Sequence, residues 1–290
     1  MKIKSNRALS FFVIALAYVI AISVGVITYI HMPAVLWLRI LVADVMATVV
    51  VFIFSVALRN ASVYDPYWSV QPIVILIGMA CVYGFNLASA LIFFAVCLWG
   101  VRLTANWAYT FKSLEYQDWR YTMLREKTGV FYPLINFIGI HMVPTLVVYA
   151  CIMPAVFVFQ YKPDINVFSV ICFTGVLFAI LLQGISDIQM HIFRKNRTGN
   201  FIRTGVWKYS RHPNYLAEII TWWSVGFYAF SLMPSYWFLI IGAVLNTLLF
   251  LFVSIPMADK RQSAKEGFEV YKKQTRMLLP LPKSIKLKKQ

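Results

Sequence analysis

Apolar stretches long enough to cross a bilayer recur along most of this chain, and they restrict it to helical membrane architectures. A spanning helix needs about 20 predominantly apolar residues. Eight such stretches are legible, near 8–30, 33–58, 68–83, 87–106, 133–160, 167–187, 214–232 and 236–257. Backbone groups in hydrocarbon must be satisfied inside their own segment, which favours helices over open strands. Composition agrees: 60% of the residues are hydrophobic and only 13% charged, about half the charge of a soluble domain. The expected fold is therefore an all-α polytopic bundle of about eight transmembrane helices.

Charge orients the bundle. A net charge of +16 raises the possibility of nucleic acid, but the position of the cations argues against it. With the N-terminus placed in the cytoplasm, the cytoplasmic segments are 1–7, 59–67, 107–132, 188–213 and 258–290, and they hold 24 of the 27 Lys and Arg residues. This is the positive-inside asymmetry of membrane proteins. It predicts cytoplasmic N- and C-termini, a multi-pass protein, expected in a bacterial cytoplasmic membrane, and no nucleic-acid partner. The first span is too long and lacks a small-residue cleavage site for a removable signal, so it reads as a retained helix. Two short amphipathic segments, 113–129 and 262–274, read as lying on the membrane face. The basic tail from Lys283 to Lys289 reads as attracted to anionic lipid. Cys81, Cys97, Cys151 and Cys172 all fall within spans, with no spacing suited to a metal.

Ionisable residues in or at the ends of spans are costly in lipid and default to functional candidates. Here they are Arg39, Asp44, Asp65, Arg102, Asp187, Glu218 and Asp259. Arg39 and Asp44 lie roughly 140° apart around one helix, so the reading favours structural partners on other helices. Asp65 opens Asp-Pro-Tyr-Trp-Ser-Val-Gln-Pro72. It reads either as the N-cap of the third span, with Pro66 in the first turn, or as a carboxyl at an apolar cavity mouth that donates to a substrate carbonyl. Tyr67 and Trp68 would line the same cavity. Gln183, Asp187, His191 and Arg194 share one helical face and form a polar stripe suited to a ligand.

The densest polar block is Arg203-Thr-Gly-Val-Trp-Lys-Tyr-Ser-Arg-His-Pro-Asn-Tyr-Leu-Ala-Glu218. Gly205 permits a tight turn, Trp207 and Tyr209 offer flat faces, and Arg203, Lys208 and Arg211 offer cations that grip phosphate. Pro213 sits where the next helix would start, and Asn214 and Glu218 then share one side of it. His212 reads as a hydrogen-bonding residue at the helix mouth rather than an acid/base. Ser210, His212 and Asp187 lack the elbow motif of a nucleophilic triad. There is no GxGxxG and no P-loop.

Residues from about 170 to 282 resemble the C-terminal domain of the steroid 5-alpha-reductase family. The motifs are Gln183-x-x-x-Asp187, Arg194, Gly205-x-Trp-x-Tyr-x-x-x-x-Asn-Tyr-x-x-Glu218 and a tail from Tyr271 to Pro280. The Tyr-Ser-Arg-His-Pro-Asn-Tyr and Tyr-Asp-Pro-Tyr-Trp-Ser-Val variants resemble its uncharacterised, mostly bacterial branch. The resemblance implies NADPH bound through Asp187, Arg194 and Asn214, with Gln183, Arg203, Trp207, Tyr209, Arg211, His212, Tyr215 and Glu218 around it. It also implies a buried acid facing the substrate carbonyl, for which Asp65 is the best match, although the family residue is glutamate. The family's partner tyrosine falls near Trp99 here, which leaves the phenol to Tyr67 or another tyrosine. An additional N-terminal span separates this chain from seven-span family members.

The expected activity is NADPH-dependent reduction of an activated C=C bond in a lipid enone, such as a 3-oxo-4-ene steroid, with Asp65 and Tyr67 catalytic. The lipid would enter from the bilayer and meet the cofactor between helices of residues 1–132 and a cofactor-binding region of residues 133–290. The more distant isoprenylcysteine carboxyl methyltransferases share Arg-His-Pro-x-Tyr and offer the alternative of an S-adenosylmethionine-dependent enzyme. They carry paired glutamates where this chain has Asp259-Lys260. A non-enzymatic lipid-binding membrane protein is the third reading.

Overall fold

The computed structural model describes residues 2–196 and 199–280. The basic tail from Lys283 to Lys289 lies outside the described residues. Among those described the chain is helical throughout, with no strand beyond one isolated parallel bridge between Ser210 and Arg276. Seven of the described helical segments are long and apolar enough to cross a membrane: the chain is an integral multi-pass membrane protein. Large apolar side chains point outward along them, Phe12, Ile53 and Leu181 among others, as helices solvated by lipid allow.

The expected eighth span is present as a helix, Pro213–Leu232, but is not one of those seven. Pro213, Asn214, Glu218, Thr221 and Ser224 dilute its apolar character, and its buried side includes Glu218 and Thr221. An even number of crossings, and hence both termini on one side, depends on this helix.

The chain divides into two compact units, Met1–Asp164 and Ile165–Gln290. The division expected at residue 132 would have grouped the helix ending at Tyr161 with the C-terminal region. That helix instead packs on the second, third and fourth long helices of the first unit.

The first unit comprises α1 (Arg7–His31), α2 (Leu36–Ala57), α3 (Tyr67–Tyr83), α4 (Leu87–Thr110), the short α5 (Trp119–Thr128) and α6 (Val143–Tyr161). Asn6 caps α1 by accepting from the Leu9 amide, and Asn86 and Ser89 cap α4 reciprocally. A Cβ at Gly100 would meet the Ser69 carbonyl oxygen at 2.6 Å, so glycine is what lets α3 and α4 touch. Between α2 and α3 a 3-10 turn, Ala61–Tyr64, is fully buried. A π-turn, Asn136–Met142, precedes α6.

The second unit comprises α7 (Val167–Asn196), α8 (Pro213–Leu232), α9 (Ile241–Leu249), α10 (Ile255–Ser263) and α11 (Phe268–Gln274). The expected surface segments 113–129 and 262–274 correspond to α5 and α11.

Candidate functional site

Two acid–phenol pairs lie within the first unit. Asp65 closes the 3-10 turn, and α3 begins without any side-chain cap. The N-cap reading of Asp65 therefore fails. Its Oδ1 instead accepts a hydrogen bond from the Tyr121 hydroxyl of α5 at 2.6 Å. Loop 111–118 holds α5 in place: Asn60 donates to the carbonyls of Leu114 and Tyr116 at 2.7 and 3.1 Å, and the Asp118 amide donates to Ser62 at 2.9 Å. Asp118 also caps α5 and pairs with Arg120 Nε at 2.8 Å.

Of these residues, Ser62, Asp65, Tyr116, Asp118 and Arg120 line one cavity of about 440 Å³. Asp65 comes from the end of the 3-10 turn and Trp68 from the start of α3, Asn106 and Trp107 from the end of α4, and Lys112 and Arg120 from the loop and α5. Charged groups of both signs share the cavity with indole faces. It can accept a ligand part polar and part flat.

Tyr67, expected beside Asp65, points elsewhere. Its hydroxyl donates to Asp44 Oδ1 at 3.0 Å, and Gln71 Nε2 donates to Asp44 Oδ2 at 2.6 Å. Asp44 does not pair with Arg39, whose guanidinium donates to the Tyr29 carbonyl at 3.0 and 2.8 Å and lies over the Tyr29 ring. The expectation of separate structural partners holds for Arg39. For Asp44 the partners are polar side chains one helical turn apart on α3, a spacing already present in the sequence.

In the second unit, Glu218 is fully engaged. Gln183 Nε2 donates to its Oε2 at 2.7 Å and Trp222 Nε1 to its Oε1 at 2.9 Å. The Gln183 amide oxygen is buried with no hydrogen-bond partner. Asp187 and His191 lie partly exposed on α7, and Arg194 and Arg203 are exposed. Tyr209 is exposed as well, while Asn214 and Tyr215 are half-buried at the start of α8.

Three residues expected to touch a cofactor make structural contacts. Trp207 is buried, donates to the Ser186 carbonyl at 3.1 Å, and accepts from Tyr271 through its own carbonyl. Burial pushes the Tyr271 phenol above its usual range. Arg211 donates to Asp259 Oδ2 at 2.8 Å and to the Thr275 carbonyl at 2.7 Å. His212 Nε2 sits 2.9 Å from Asp259 Oδ1, its ring stacked on Tyr215. This clamp ties the polar block to α10 and the segment after α11, and it engages both Nη atoms of Arg211. Gly205 has φ +59° and packs on Gln189, which accepts from the Val206 amide at 3.0 Å.

Sequence reasoning missed Tyr121, the Gln71–Asp44 contact and the role of Asp259. Only Gln71 carried a signal, a polar residue one turn beyond Tyr67 inside an apolar run.

A family described as "Protein of unknown function (DUF1295)" matches residues 51–275. The match takes in Asp65, Tyr67, Tyr121 and the whole polar block, and begins after Asp44. Over 213 residues the chain is 25% identical to "Uncharacterized protein C594.04c" of Schizosaccharomyces pombe, an alignment covering 62% of this chain and 60% of that protein. The chain thus spans about three fifths of that relative's length. No solved structure matches the chain.

Proposed function

The chain belongs to the family of proteins of unknown function (DUF1295), and on that premise we propose that it is a membrane-embedded, NADPH-dependent reductase of an activated C=C bond in a lipid enone. The observation that carries the proposal is Asp65 on the wall of the 440 Å³ cavity, with the Tyr121 hydroxyl donating to it at 2.6 Å. The resemblance to steroid 5-alpha-reductases calls for an acid and a phenol facing the substrate carbonyl. Tyr121, not Tyr67, supplies the phenol beside Asp65.

Reduction at the β carbon moves the double-bond electron pair onto the carbonyl oxygen as an enolate. In this reading Asp65 gives its proton to that oxygen. Tyr121, donating to Oδ1, stabilises the carboxylate left behind. A positioned donor of this kind lowers the barrier because it faces the charge only as it develops. Trp68 and Trp107 flank the flat enone and exclude water.

NADPH, when bound, supplies the hydride. The second unit has residues that fit it: the exposed cations Arg194 and Arg203, Asp187, Tyr209, Asn214, and the buried unpartnered amide oxygen of Gln183. Arg211 and Trp207 are left out of this set by their structural contacts.

The test is direct. Purified protein in detergent is incubated with NADPH and a 3-oxo-4-ene steroid, and both NADPH absorbance and product mass are followed. Consumption of NADPH with a two-hydrogen mass gain is expected, lost in Asp65→Ala. Thermal stabilisation by S-adenosylmethionine with none by NADPH would replace this reading with the methyltransferase one.

A further inference from the structure

A second cavity lies in the first unit, enclosed by α1, α2 and α3 and separate from the Asp65 site. It has a volume of about 140 Å³ and apolar walls that include Ile22, Val26, Ile40 and Met79. Its polar groups are few. Asp44, 5% exposed, lies about 12 Å along α2 from its start by helical rise, within the apolar span.

The donors of Tyr67, Gln71 and Tyr18 at the polar end of this cavity are already used. Tyr67 donates to Asp44 Oδ1, Gln71 Nε2 donates to Asp44 Oδ2, and Tyr18 donates to the Val63 carbonyl at 2.7 Å. Both oxygens of Asp44 therefore have donors. One buried acceptor does not. The Gln71 amide oxygen has no partner, on a residue 5% exposed that lines the cavity. An unsatisfied buried acceptor costs about 1–3 kcal/mol, and hydrocarbon offers no water to offset it.

We propose that this cavity binds the head of a lipid alcohol, whose hydroxyl donates to Gln71 Oε1. The walls select an uncharged ligand. An ammonium would lose its hydration among these apolar walls. Size limits what enters: a cavity of about 150 Å³ accommodates a single benzene, so this one encloses about one ring or a short chain segment. The remainder leaves through the exposed side at Val26 and Gly78. A Cβ at Gly78 would meet nothing within 4 Å, so the backbone is open there.

The experiment uses the full chain in detergent without NADPH, so its outcome is independent of the reductase reading. The probes are radiolabelled dodecanol and its methyl ether, which keeps the oxygen but lacks the donor. The alcohol should bind about tenfold more tightly, one hydrogen bond's worth of discrimination. Gln71→Leu should abolish that preference, and Gly78→Leu, which narrows the mouth without touching the polar end, should weaken both ligands. Equal binding of the two probes, a preference for the ether, or tighter binding of dodecylamine would overturn the proposal. So would an alcohol preference unchanged in a folded Gln71→Leu protein. If Gln71→Leu does not fold, full alcohol binding by Gly78→Leu would overturn it instead.

Discussion

The Tyr121 hydroxyl reaches Asp65 at 2.6 Å across 56 positions of intervening chain. Two anchors set the distance. Asn60 and Ser62, in and before the buried 3-10 turn, hold the loop that leads into α5, and α5 then presents Tyr121 to the residue that follows the turn.

If this pair works on the substrate carbonyl, Asp65→Ala should lower turnover about 10²–10³-fold, the scale of one oxyanion donor. Asp65→Asn should retain more than Asp65→Ala, because an amide still donates a hydrogen bond to the enolate oxygen although it cannot give up a proton. Tyr121→Phe should lose about tenfold through one charge-assisted hydrogen bond. Because α3 begins without a side-chain cap, Asp65→Ser should not restore activity. Steady-state reduction of the steroid probe, with circular dichroism as a folding control, measures all four.

Arg211 and Arg194 should separate in a thermal-shift titration. Removing Arg211 strips Asp259 of its buried cation and should cost about 3 kcal/mol of stability, while leaving the NADPH-induced shift of the folded protein intact. Arg194→Ala and Arg203→Ala should fold normally and shrink that shift. An Arg211→Ala protein of native stability that ignores NADPH would return Arg211 to the cofactor site.

Gly205→Ala should destabilise the second unit by about 2 kcal/mol. An alanine strains at positive φ, and its Cβ would sit 2.2 Å from the Gln189 amide oxygen. Gln189 would then release the Val206 amide. Thermal unfolding of Gly205→Ala against Gly205→Asn, a residue that tolerates this backbone, separates strain from collision. The asparagine should be no better if collision dominates.

The crossing of α8 decides the topology. At 20 residues it is about 30 Å long, enough for the hydrocarbon core. Reporters inserted between Gly199 and Thr204 and between Met233 and Ser235 should report opposite sides. The same side at both positions would make α8 a non-crossing helix and put the chain termini on opposite sides.

The apolar periodicity and length of the runs determined the helical membrane fold without help from tertiary contacts, because lipid leaves a spanning backbone no other way to satisfy its hydrogen bonds. The same sequence marked Asp65, Tyr67, Asp187 and Glu218 as polar groups that needed a reason to be where they are. It did not determine their partners. Tyr121 lies outside the apolar runs, in a loop-borne helix whose placement depends on Asn60 and Ser62. Arg211 read as a phosphate ligand because a free arginine and a clamped one look identical in a string of letters. Its role was decided by Asp259, 48 residues away. Tyr67 was assigned to Asp65 by nearness in sequence, yet its position at the first turn of α3 turns it toward α2. Charge and hydropathy act on each residue through the solvent around it, so they are legible locally. Hydrogen-bond pairing depends on which distant segment the packing brings within 3 Å, and only the folded helices supply that.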